Sequence, residues 1–403
     1  MSHEPTRRLA ICRVVSLALY LTALYSLYPG EVDAQQPFSP CDLAENIPGP
    51  VRLVLPPTIY AVVGQEMNVY FDNVTLALNP DNYAFDVSCA RGRQQADRWT
   101  YTPAAEDVGT VPFQLDVRNE QNEVLARACC ALRVTAPEGE AKSVSLLAIG
   151  DSLTHASVYP KRLVELCSAS GPKLSLVGSF GPGGMPGEIR HEGYGGWTAK
   201  RFATHYRETA RQGDYKDRGS PFLYAQAEGE PKLDFTRYCQ DVNEGRLPDI
   251  VTIFLGPNDV FGATDETLES VIDDMLKHYD ELIAMIHQAG PEICIAAMLP
   301  VPPAASQDAF GANYASGQTR WQYKRNQHRL VERMLATYSN REQEKLYLVP
   351  TYVNLDCRRN YPTSSINAEA PDQSGRQNNG VHPAESGYRQ IGDTLYAWLL
   401  GRK

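Results

Sequence analysis

The chain has 403 residues, of which 43% are apolar and 21% charged, proportions of ordinary globular domains that exclude coiled coil, collagen and wholesale disorder. At about 150 residues per domain, this length accommodates two or three. Lys plus Arg number 38 against 48 Asp plus Glu, a net charge of -10, and no basic stripe appears. Nucleic acid and anionic membrane surfaces are therefore poor partners.

Residues 1–34 read as a signal peptide: Arg7 and Arg8, an apolar stretch from Val14 to Tyr28, then Val32-Asp33-Ala34 as an A-x-A-like cleavage site. The stretch is shorter than the roughly 20 residues that span a bilayer, so the mature chain is expected to be secreted or periplasmic, with no membrane anchor after cleavage. Cys12 leaves with the leader, and the other cysteines form no C-x-x-C pair, which gives no support to a zinc site.

Residues 37–137 carry short apolar runs broken by turn residues: Arg52 to Leu55, Ile59 to Val63, Met67 to Phe71, Tyr83 to Cys89, Arg98 to Tyr101, Val111 to Val117 and Val124 to Val134. This spacing predicts a small all-β sandwich, immunoglobulin-like in size. Cys129 and Cys130 are adjacent in a strand and must face opposite sides, so one of them is a candidate to bridge Cys89. The polar segment Ala136-Pro137-Glu138-Gly139-Glu140 marks the boundary. From 143 to 403, apolar strand runs at 144–149, 174–177, 250–255, 293–299 and 346–349 alternate with helical spacing at 159–168, 198–211, 266–288 and 320–338. A last helix follows His382-Pro383. That alternation predicts βαβ units around a parallel sheet.

Three strand or loop ends carry reactive groups. The first strand delivers Gly150-Asp151-Ser152-Leu153 to the carboxyl edge of the sheet, where ligands of open α/β folds bind. The third delivers Gly256-Pro257-Asn258-Asp259, whose amide is a good oxyanion donor. Asn379-Gly380-Val381-His382-Pro383 brings an imidazole to the start of the last helix. Singly, each segment is also an ordinary cap or turn.

Taken in order, with Gly196-Trp197-Thr198 as a fourth block, these segments resemble the SGNH or GDSL hydrolases over about residues 143 to 401. The resemblance implies a flavodoxin-like three-layer α/β/α domain. In it Ser152 is the nucleophile, His382 the base, and the Ser152 and Gly196 N–H groups with the Asn258 amide form the oxyanion hole. It implies ester hydrolysis through an acyl-enzyme with no metal or organic cofactor. One position departs from the family. The acid expected three residues before the base is Asn379, which cannot stabilise an imidazolium by charge. Three arrangements stay open: a backbone carbonyl orienting His382 in a Ser-His dyad, a carboxylate from elsewhere such as Asp356 or Asp372, or a weak site. Export and nearby aromatics suggest O-acetyl esters of carbohydrates, with Asp151 and Trp197 at the substrate and Trp197 stacking on a sugar. Tyr314, Trp321 and Tyr323 are candidates for a loop over the site. The alternatives are a lipid acyl hydrolase or thioesterase of the same family, and a catalytically weak carbohydrate-binding protein.

Overall fold

The computed structural model describes residues 51–137, 142–184, 186–366, 369, 371–372 and 374–402; the expected signal peptide and residues 138–140 of the predicted linker lie outside the described residues. In the N-terminal region the strands are β1 (Thr58–Val62), β2 (Met67–Tyr70), β3 (Ala84–Ser88), β4 (Arg98–Tyr101), β5 (Gly109–Arg118) and β6 (Val124–Thr135). One sheet has the order β1-β6-β5-β3, with β1 and β6 parallel; in the other β4 lies between β2 and the short strand Arg93–Gln94 and pairs with both. Strand alternation sends Phe113, Leu115 and Leu132 into the space between them. There the Trp99 ring meets Phe113 edge-on at 5.1 Å. The expected sandwich is present, and the expected strand Met67 to Phe71 ends one residue early because Phe71–Val74 forms a helical turn.

The expected Cys89 bridge is not. Cys89 and Cys130 are free thiols, whereas Cys129 is disulfide-bonded. Strand register explains this: Cys130 lies opposite Phe113, and Ser88 opposite Gln114, so β5 runs between Cys130 and the end of β3. Two strand spacings are about 9.5 Å, beyond the roughly 7 Å that a disulfide can bridge between Cα atoms.

The second region contains β7 (Ser143–Gly150), α1 (Ser152–His155), α2 (Val158–Ser170), β8 (Lys173–Val177), β9 (Glu192–Gly193), α3 (Ala199–Thr204), β10 (Ile250–Phe254), α4 (Pro257–Val260), α5 (Leu268–Ala289), β11 (Cys294–Met298), α6 (Arg320–Tyr338), β12 (Leu346–Val349) and α7 (Glu385–Gly401). The sheet is parallel in the order β8-β7-β10-β11-β12, with β9 paired to the end of β7. Every residue of β10 is buried, as a sheet covered on both faces requires. Leu147, Ile149, Val251 and Ile253 pack with Ile272 and Met275 of α5 and Leu330 of α6. Leu146, Ala148 and Phe254 pack on the other face with Leu163 of α2 and Leu395 of α7. This is the three-layer α/β/α arrangement. The helix expected at 198–211 is shorter, because His205 leaves helical geometry and its carbonyl accepts from Ser220 N at 2.6 Å.

The two regions share packing. Both contribute to one apolar cluster, and Asn73 Nδ2 donates across to Tyr352 O (2.8 Å) and Leu355 O (2.7 Å). Buried Lys324 on α6 pairs with Asp72.

Candidate active site

The serine is presented by a tight turn. β7 ends at Gly150, where a Cβ would collide with the Thr154 side chain; Asp151 then caps α1 by accepting from Leu153 N at 2.9 Å. Ser152 is the first residue of α1, and its Oγ lies 2.8 Å from His382 Nε2. His382 stands just before α7, and burial holds its imidazole below the ordinary histidine value. A neutral ring so placed can accept the serine proton.

Asn379 acts through the main chain. Its Oδ1 accepts from His382 N (2.9 Å) and Val381 N (3.2 Å), an Asx turn that fixes where the imidazole emerges. Gly380 packs beneath the Phe310 ring, which a Cβ would approach within 2.8 Å. Neither carboxylate proposed as a substitute reaches the ring. Asp356 is spent on its own turn, with Oδ1 accepting from Arg358 N (3.0 Å) and Arg359 N (2.9 Å), and Asp372 is exposed. Among the described residues no carboxylate pairs with His382 and Nδ1 makes no hydrogen bond, so an orienting backbone carbonyl is absent too. The geometry is that of a Ser-His pair with no third member among the described residues.

β9 brings the second block to the serine. Glu192 and Gly193 pair with Ile149 and Gly150, and Tyr194 N donates to Gly150 O at 3.0 Å. A Cβ on Gly193 would lie 2.7 Å from His155 N, so only glycine permits this approach. The chain then turns through Gly195-Gly196, closed by Trp197 N donating to Tyr194 O at 3.1 Å, with Gly196 at φ 76°. The N–H groups of Ser152 and Gly196 donate to no described residue, which leaves both free for an oxyanion. Asn258, on α4 after β10, is differently placed. Its Nδ2 is held by Asp151 Oδ2 (3.2 Å) and Trp197 O (3.1 Å), so an oxyanion must share one of these hydrogens. Beneath it, burial pushes the carboxyls of Asp151 and Asp259 up to about 7.

Two expected substrate contacts are corrected. Trp197 is fully buried, packed on Tyr194 (4.7 Å) and Phe202 (4.8 Å), so its indole cannot stack on a sugar; its carbonyl instead holds Asn258. Asp151 is also fully buried and fixes the turn and the amide. Tyr323 is buried as well, and Tyr314 packs on Phe261 at 4.9 Å. Sequence reasoning missed the groups that hold the Gly196 turn. His191 Nδ1 accepts from Gly193 N (3.1 Å) while Nε2 meets Ser157 Oγ (2.8 Å), and burial pushes this ring down to about 3. Buried Glu192 accepts from Ser179 N (2.6 Å), Tyr238 Oη (2.6 Å) and Tyr194 Oη. The only sequence signal was the His-Glu pair preceding the glycines.

The family model described as GDSL-like lipase/acylhydrolase matches residues 148–390. The chain belongs to this family. As a GDSL acylhydrolase it is a carboxylic ester hydrolase. Similar solved structures include a carbohydrate esterase of family 3 from Talaromyces cellulolyticus, 17% identical over 64% of this chain and 96% of that one, with a TM-score of 0.37. A carbohydrate acetylesterase family member from Sinorhizobium meliloti is 14% identical over 64% and 97%, with a TM-score of 0.36. An arylesterase-like protein from Agrobacterium tumefaciens is 17% identical over 64% and 98%, at 0.35. No curated protein matches this GDSL hydrolase.

Proposed function

We propose that this GDSL hydrolase is an exported esterase that removes small acyl groups, acetyl above all, from carbohydrates. The observation that carries the mechanism is the 2.8 Å contact between Ser152 Oγ and His382 Nε2. Ser152 attacks the ester carbonyl as His382 takes its proton. The Ser152 and Gly196 N–H groups and the Asn258 amide receive the oxyanion, and His382 returns the proton to the departing alcohol. Water then releases the acyl group by the same steps. A polar alcohol is favoured over a lipid by the cavity that starts at His155, whose described lining has three arginines, two aspartates and five glycines against one valine, Val242. Export rests on the leader read at residues 1–34.

The test is hydrolysis of 4-nitrophenyl acetate, 4-nitrophenyl octanoate and an acetylated polysaccharide by the wild-type protein. Acetyl release from both acetate substrates, with the octanoate poorest, is expected. A preference for octanoate would transfer the assignment to lipids.

A further inference from the structure

Beside the end of α1 opens a cavity of about 1090 Å³, slightly above the roughly 300–1,000 Å³ usual for small-molecule sites. Its wall starts at His155, the last residue of α1, whose ring lies 5.2 Å from Phe180 and 4.6 Å from Tyr215. Tyr215 Oη lies 3.0 Å from where a Cβ on Gly195 would stand, one residue from the oxyanion glycine. Through His155 and Tyr215 the cavity therefore borders the turn that carries Gly196, while Ser152, Gly196, Asn258 and His382 do not themselves line it.

Three arginines line it against two aspartates, Asp214 and Asp241, in a molecule whose net charge is -10. Arg211 is paired with Asp241 at 3.4 Å. Arg218 and Arg190 form no ion pair with a described residue. Arg218 is 2% exposed and held on two sides: Nε donates to Gly213 O (2.9 Å), Nη1 to Ser179 Oγ (3.2 Å) and Tyr194 Oη (3.4 Å). Its guanidinium lies 4.8 Å from the Phe180 ring centre. Glu192 balances this charge only at one remove, through the Ser179 and Tyr194 hydroxyls. Nη2 donates to no described residue. A buried guanidinium without a direct counter-ion is costly, and a planar fork with a spare edge suits a carboxylate. Arg190 is exposed at the mouth, its Nε bound only to Gly187 O at 2.8 Å.

We propose that this cavity is a subsite for the alcohol side of the ester and takes a sugar bearing a carboxylate, held by Arg218 and Arg190 against the Tyr215 ring. Its place as the leaving-group side rests on the esterase reading above; its affinity for an acidic sugar does not. The test is calorimetric titration of the full chain carrying Ser152→Ala with a galacturonate oligosaccharide and a neutral xylo-oligosaccharide of equal length. Tighter binding of the acidic sugar is expected, weakened about tenfold or more by Arg190→Ala and by Arg218→Gln. Equal affinity for the two sugars, no binding of either, or unchanged affinity in both arginine variants overturns the proposal. If Arg218→Gln does not fold, Arg190→Ala decides by the same criterion. Binding of the acidic sugar by a protein that fails to hydrolyse 4-nitrophenyl acetate would sink the esterase reading and leave the subsite standing.

Discussion

Asparagine at position 379 is the residue on which the chemistry turns. It keeps the main-chain role an aspartate would have, accepting from His382 N, and supplies no charge. The resolved influence on the His382 imidazole is burial, which lowers its pKa, whereas a neighbouring carboxylate would raise it. In the proposed mechanism the base works in its neutral form, so kcat/KM should be full at neutral pH and fall as pH drops through a midpoint below the ordinary 6.5. A pH-rate profile measures this, and an acid limb centred above that value would reveal an unseen carboxylate partner. At this scale the sequence was legible for Ser152 and His382, which the structure brings into contact. It misplaced Trp197 at the substrate, because an indole at a helix start reads the same whether it faces solvent or core. Only the packing of Tyr194 and Phe202 against it decides for the core.

The element that matters most is the shortest. β9 is two residues long, too short for any periodicity to mark it, yet its pairing with the end of β7 sets the Gly196 turn beside Ser152. The long apolar strands, by contrast, were readable to within a residue or so, since burial on both faces demands a continuous apolar run. Gly193→Ala tests the importance of this register. Its Cβ would stand 2.7 Å from His155 N and from the Thr154 side chain in α1, so the turn must move away from the serine. Overpacking of this kind costs about 1–3 kcal/mol of stability, and kcat should fall about 100-fold as an oxyanion donor is misplaced. Thermal melting and kcat on 4-nitrophenyl acetate together check it; wild-type turnover would show that the turn does not serve the reaction.

Across the whole molecule, the change of periodicity near residue 137 marks two patterns that share packing. Asn73 and Asp72 of the first region satisfy buried groups of the second, contacts that no single-sequence pattern discloses because they join residues some 250 positions apart. Asp72→Ala would leave Lys324, which is 2% exposed, as a buried ammonium without its nearest anion, and should cost about 3–5 kcal/mol. Calorimetry of the wild-type protein should show both regions melting in one transition, with Asp72→Ala lowering it as a unit. Two separate transitions, only one of them shifted, would contradict shared packing.

The claim that joins these scales is that Ser152 attacks an ester with no help from a carboxylate. Rapid quenching of the reaction with 4-nitrophenyl acetate, followed by peptide mass mapping, tests it most directly. One acetyl group on the peptide containing Ser152, absent when Ser152→Ala or His382→Ala is treated identically, is the predicted result. Acetyl on another residue, or turnover that persists in Ser152→Ala, would contradict the account.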